Sequence, residues 1–214
     1  MLIEIVSDLI CPWCLIGKRR LDLALAQRPA VEAEIVWRPF QLNPDMPREG
    51  IDREAYVAAK FGSRERAAQI YARVGDAAAK DGIPVAFDKI KRTPSTLDGH
   101  RLVGFAARYG LATAVTEALF QAYFVEGENI GDHAVLVRKA EAAGLNGAEV
   151  AEYLASDADL DAVRAADLQA RQSGIDGVPR FIFDRRYVLS GAHEPAAFLP
   201  VFDAILTERT KEAV

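Results

Sequence analysis

The segment Ser7-Asp8-Leu9-Ile10-Cys11-Pro12-Trp13-Cys14 decides how the rest of the chain is read. It joins a short apolar run, Leu2 to Val6, which reads as a strand, to residues 12–28, which read as a helix. That helix carries Leu15, Leu21, Leu23 and Leu25 among basic residues and closes before Pro29. A second strand is expected from Val31 to Trp37, with Pro39 ending it. The two cysteines thus sit at a strand-to-helix junction inside a β-α-β unit. The loop that follows, Pro39-Phe40-Gln41-Leu42-Asn43-Pro44-Asp45-Met46-Pro47, is rich in proline.

From about Asp52 to Ser173 apolar residues recur at helical spacing, and the one candidate strand is Val85-Ala86-Phe87. Leu102, Phe105, Ala106 and Tyr109 form one stripe, and Leu119, Ala122 and Tyr123 another; both read as packing between helices. Asn146-Gly147-Ala148-Glu149 reads as a helix N-cap followed by a capping-box acid. Two short strands, Arg180 to Phe183 and Tyr187 to Leu189, then flank the turn Asp184-Arg185-Arg186. A last helix is expected from about Pro195 to Glu208, with Phe198, Val201, Phe202 and Ile205 on one face. The order β-α-β, helical block, β-β-α predicts an α/β chain with a helical insertion, residues 1–50 and 174–214 forming the first domain and 51–173 the second.

The chain has 214 residues, 50% of them hydrophobic, enough for a sizeable core, so disorder is expected only from Thr210 to Val214. A net charge of −5 favours solubility, and no dense basic face predicts a nucleic-acid or membrane partner. The basic runs Lys18-Arg19-Arg20 and Lys89-Ile90-Lys91-Arg92 read as solvated faces. No stretch reaches the roughly 18 apolar residues of a membrane span. The N-terminus lacks a signal peptide's basic start, so a cytoplasmic location is expected. Two cysteines are too few for a structural disulfide framework. His100, His133 and His193 have no ligand-like spacing, so no metal site is expected.

A Cys-x-x-Cys pair at such a junction is a thioredoxin-like redox signal. Cys11 falls at the helix N-terminus, where free backbone N–H groups and the dipole favour a thiolate; Cys14, one turn in, is more shielded. Pro12 costs no hydrogen bond in the first turn, and Pro12-Trp13 adds no charge beside Cys11. Exchange would then run in two steps: Cys11 attacks a disulfide, and Cys14 resolves the mixed disulfide. The bland alternative is a buried, inert pair. Gly177-Val178-Pro179 stands just before a strand; in a thioredoxin fold this proline would be cis and face the cysteines, and otherwise it is an ordinary turn proline.

These features resemble the DsbA-like thioredoxin superfamily, and within it the FrnE-like branch of thiol–disulfide oxidoreductases. The matching segments are Ser7 to Cys14 with Gly17, Pro39 to Pro44, Ser95…His100-Arg101, Glu128-Asn129-Ile130-Gly131-Asp132, and Gly177 to Ala192 around Ser190-Gly191. The resemblance implies an α/β thioredoxin fold interrupted by a helical domain over the active-site face, and a cis-Pro179 whose neighbour Val178 offers backbone hydrogen bonds to an extended substrate. Asp8 is either a proton shuttle for the resolving thiol or a turn residue, and His100 and Arg101 support packing or line the cleft. Arg180 and His193 either add positive charge that favours an acidic substrate or face solvent. His193 is taken here as a substrate-binding candidate with Val178 and Pro179. No tightly bound cofactor is expected, though glutathione is a candidate co-substrate. Protein or small-molecule thiols and disulfides are the expected partners, and a homodimer is allowed. Two other readings stay open: a glutathione-dependent isomerase or kappa-class-like transferase on small aromatic compounds, and a redox-switched protein-binding module.

Overall fold

The structure is a computed structural model that describes residues 1–212. Its elements run β1 (Leu2–Ser7), α1 (Pro12–Ala26), β2 (Glu34–Pro39), β3 (Ile51–Asp52), α2 (Arg53–Phe61), α3 (Arg64–Lys80), β4 (Arg92–Thr93), α4 (Leu97–Ala107) and α5 (Ala112–Gln121). They continue with α6 (His133–Ala142), α7 (Gly147–Ala155), α8 (Leu160–Gln172), β5 (Arg180–Phe183), β6 (Tyr187–Ser190) and α9 (Leu199–Glu212). A four-stranded sheet has the order β2-β1-β5-β6. β1 is parallel to β2 and antiparallel to β5, so Ile5 lies opposite both Trp37 and Phe181.

Alternation along β1 sends Ile3 and Ile5 to one face, where they meet Leu21 and Ala24 of α1, Phe181 and Phe183 of β5, and Phe198, Phe202 and Ile205 near and within α9. On the other face Val6 packs with Phe40 and Ile175. A separate apolar core joins Leu9, Ile10, Cys11 and Cys14 to α4, α5, α6 and α7. The helical block therefore packs directly on the cysteine loop. Gly17 allows the close approach on the α1 side, since a Cβ there would meet the Pro179 ring and the Phe181 ring at 3.0 Å.

Several elements differ from expectation. β2 starts at Glu34 because the chain still turns at Val31, whose N–H donates to the Arg28 carbonyl. Val85 to Phe87 form no strand; among their backbone groups the Ala86 N–H reaches the Phe124 carbonyl, and a short 3-10 turn begins at Phe87. The small β3–β4 ladder was not expected, being only two residues long. The last helix is split: Pro195–Ala197 form a 3-10 turn, and α9 begins at Leu199, which leaves Pro200 in its first turn, where its missing N–H costs nothing. α9 extends through Glu212, into the tail expected to be disordered, while Ala213 and Val214 lie outside the described residues.

Tyr109 is exposed, because α4 ends at Ala107. Asn146 caps α7 as expected, but Glu149 faces the Tyr109 hydroxyl and makes no return bond to the cap. Lys18 and Arg20 are not solvated: Lys18 is buried between Asp22 and Glu117, and Arg20 between Asp81 and Glu194. Asp22 is one turn away on the same helix, but Glu117, Asp81 and Glu194 come from segments distant in sequence, which a local charge pattern cannot reveal. No helix among the described residues is long and apolar enough to cross a membrane.

Candidate active site

The carbonyl of Asp8 accepts the N–H of Cys11 at 3.0 Å, turning the chain from β1 into α1. Cys11 is the N-cap in extended conformation (φ −90°, ψ 111°), and Pro12 occupies the first turn. The carbonyl of Cys11 then accepts the N–H of Cys14 at 3.0 Å, so the sulfurs lie one turn apart at the positive end of the helix. Both residues are reduced and buried, with exposures of 4% for Cys11 and 1% for Cys14.

Only Cys11 lines the neighbouring cleft, a space of about 290 Å³. Burial, together with the hydrogen bond and charge of Cys11, pushes the Cys14 thiol well up; the Ser7 hydroxyl and the Asp8 backbone N–H pull it partly back. Two adjacent thiols in low dielectric do not both ionise readily, and Cys14 is the one held in its protonated form.

The opposite wall comes from the far end of the chain. The Val178–Pro179 peptide is cis, and the Cys11 thiol faces the Val178 carbonyl at 3.5 Å. The N–H of Val178 has no protein acceptor among the described residues. Trp13, 37% exposed, stands at the rim.

Asp8 is fully buried, and its Oδ2 accepts the Leu42 N–H at 2.7 Å, fixing the proline-rich loop. Its Oδ1 has no hydrogen bond and lies 3.5 Å from His100 Nε2, which also contacts the Phe40 carbonyl at 3.2 Å. The carboxyl thus ties loop to loop; toward Cys14, Asp8 presents its backbone N–H. Arg101 bonds the Tyr153, Ser156 and Ala158 carbonyls and holds α4 to the end of α7.

Arg180 and His193 are not brought to the cleft. Arg180 donates to Ser190 Oγ and the Gly174 carbonyl, and exposed His193 bonds the Ser190 carbonyl. The positive charge in the cleft comes instead from Arg53 and Lys60, on α2. These two and Tyr56 share the spacing i, i+3, i+7, one helical face, but nothing local in the sequence says what that face covers. Arg53 donates to Tyr71 OH at 2.6 Å and to Thr93 Oγ1 at 3.1 Å, and it lies over the Tyr71 and Tyr56 rings at 5.1 and 5.5 Å. Burial pushes the Tyr71 hydroxyl up, so it stays neutral beside the guanidinium. No group of three or more potential His, Cys, Asp or Glu metal ligands comes together among the described residues.

A strand–helix junction bearing a cysteine pair opposite a Val-Pro segment defines a thioredoxin-fold protein. The family model for the DSBA-like thioredoxin domain matches residues 2–202, and the chain belongs to that family. It is similar to a probable DsbA oxidoreductase from Streptomyces coelicolor, whose crystal structure has 35% identity and a TM-score of 0.88 over 97% of this chain and 91% of that one. The uncharacterized protein YwbO of Bacillus subtilis is 28% identical over 211 residues, 98% of each chain. A 2-hydroxychromene-2-carboxylate isomerase shares the fold, with a TM-score of 0.70 at 14% identity over 100% of this chain and 98% of that one.

Proposed function

We propose that this chain is a dithiol–disulfide oxidoreductase of the FrnE-like branch, with Cys11 as nucleophile and Cys14 as resolving thiol. The observation that carries the reading is the unequal placement of the two sulfurs: Cys11 on the cleft wall at the helix N-terminus, Cys14 behind it. Cys11 is the sulfur a substrate can reach, while Cys14 stays protonated and behind it.

The Cys11 thiolate attacks one sulfur of a substrate disulfide, and that S–S bond breaks to release a thiol. In the mixed disulfide Cys11 no longer carries charge, which removes one cause of the raised Cys14 pKa. Cys14 then gives up its proton and attacks Cys11, forming the internal disulfide and releasing the second thiol. The free N–H of Val178 suits pairing with extended substrate backbone, with the Pro179 ring beside it. Protein or small-molecule thiols and disulfides in the cytoplasm are the partners in this reading, with glutathione as candidate co-substrate. A reducing compartment favours reduction or isomerisation over net oxidation.

The aromatic lining of the cleft, Phe61, Tyr71, Phe87 and Phe124, supports a second reading, a glutathione-dependent isomerase of small aromatic compounds. That activity needs no Cys14. A Cys14→Ser variant, incubated with a disulfide substrate, accumulates a Cys11 mixed disulfide visible by mass spectrometry if exchange is the function. No adduct, with isomerase turnover intact, rejects exchange in favour of the isomerase.

A further inference from the structure

The cleft beside Cys11 carries positive charge that the protein does not neutralise. Its lining residues include Arg53 and Lys60 and no aspartate or glutamate. Among the described residues neither cation has a carboxylate within 4.0 Å, although other buried or half-buried cations such as Lys18, Arg20 and Arg101 are paired with one. Every hydrogen-bonding partner of the Arg53 guanidinium is a neutral hydroxyl, from Thr93, Tyr123 or Tyr71. Lys60 Nζ meets the Asn43 side-chain oxygen and the Tyr56 ring.

The arrangement is nonetheless built. Arg53 lies near the Tyr56 and Tyr71 rings, and its orientation is fixed by a 2.6 Å bond to Tyr71. Holding a half-buried arginine without a counter-charge costs solvation free energy, which an anion from outside offsets. The remaining wall is apolar: Ile10, Leu42, Ile70, Val74 and Phe124. Low-dielectric walls concentrate the field of the two cations inside the cleft, even though the chain as a whole carries −5 and repels anions at long range.

We infer that Arg53, aided by Lys60, is a specificity-determining group that receives a carboxylate of the exchange substrate, so that the preferred substrate is an acidic disulfide or thiol with its carboxylate near the reacting sulfur. The inference rests on the exchange reading. Binding of the carboxylate places the disulfide at the Cys11 wall. Cys11 then attacks, the substrate S–S bond breaks, and Cys14 closes the internal disulfide. Two electrons pass from the protein dithiol to the substrate, which leaves as two thiols. Arg53 itself forms no bond to sulfur and moves no proton.

Three aliphatic disulfides of similar size separate charge from chemistry: 3,3′-dithiodipropionate (anionic), bis(2-hydroxyethyl) disulfide (neutral) and cystamine (cationic). The reduced full-length protein is mixed with each, and oxidation is followed by Trp13 fluorescence and thiol counting. The anionic probe is expected to react about tenfold or more faster than the neutral one at low ionic strength, and the cationic one slowest. Added salt narrows the spread. Arg53→Gln brings the anionic-to-neutral rate ratio close to one, and Arg53→Lys restores part of it. Because the readout is a ratio within each variant, a general loss of folding does not imitate the result. Equal rates for the three probes, or an unchanged ratio in Arg53→Gln, overturns the inference while leaving exchange standing. Failure of all three probes to oxidise the pair overturns exchange and the inference together.

Discussion

Replacing Arg101 by methionine tests whether this residue holds the scaffold of the site. Its guanidinium is fully buried and spans two elements. It donates to the Ala158 and Ser156 carbonyls at 2.7 Å, to the Tyr153 carbonyl at 3.0 Å and to Asp98 Oδ1 at 2.7 Å, and it lies over the Tyr153 ring at 5.0 Å. Charge-assisted bonds of this kind contribute about 1.5–3 kcal/mol each. The loop carbonyls at Ser156 and Ala158 lie near solvent and recover part of that from water, while Asp98 keeps His133 and Arg48. Methionine fills much of the space but supplies no donor. The expected loss is about 3 kcal/mol, which for a chain of this size lowers Tm by roughly 6–12 °C. Urea unfolding should show a lower midpoint with an unchanged slope, and Arg101→Lys should fall between, because one ammonium cannot span all these carbonyls. A loss below about 1 kcal/mol would refute this account of Arg101.

Two further outcomes follow from carboxylates near the site. Burial pushes the Asp98 carboxyl up, but bonds from His133 and Arg101 and the charge of Arg48 outweigh it, leaving it below its ordinary value of 3.8. Its contribution is therefore complete above that value and is lost as pH falls toward the lowered one, so Asp98→Asn should flatten the acid limb of a stability–pH profile below about pH 4; an unaltered limb contradicts the assignment. Asp8→Ala leaves the Leu42 N–H without its acceptor and should cost about 1–3 kcal/mol in urea unfolding. Asp8→Asn should recover most of that loss through its amide oxygen, and equal losses in the two variants would count against the loop-tying role.

The redox pair was legible because its signal is local: two cysteines at a strand-to-helix turn need only their neighbours to be recognised. Gly177-Val178-Pro179 was legible only in combination with that pair. Arg53, Tyr56 and Tyr71 were not, since their importance comes from α2 and α3 folding back over Cys11, and a face of a surface helix does not announce what it will cover. The same blindness explains Lys18 and Arg20, whose partners Glu117, Asp81 and Glu194 come from distant parts of the chain. It also explains the shift of charge from Arg180 and His193, which turn to nearby oxygens, to α2. Pro200 was overlooked in a stretch that otherwise reads as one helix, and it is the residue that moves the start of α9.

The wall that faces Cys11 is 167 positions away along the chain. A ribosome delivers the thiol pair well before Val178. Until the closing strands arrive, β1 has β2 on one side and an open edge on the other. The nascent chain thus carries nucleophiles without the surface that would orient a partner against them. Joining such remote segments is slow relative to local helix formation. Synthesis order itself therefore postpones selective chemistry until Val178 and the strands that follow it have emerged.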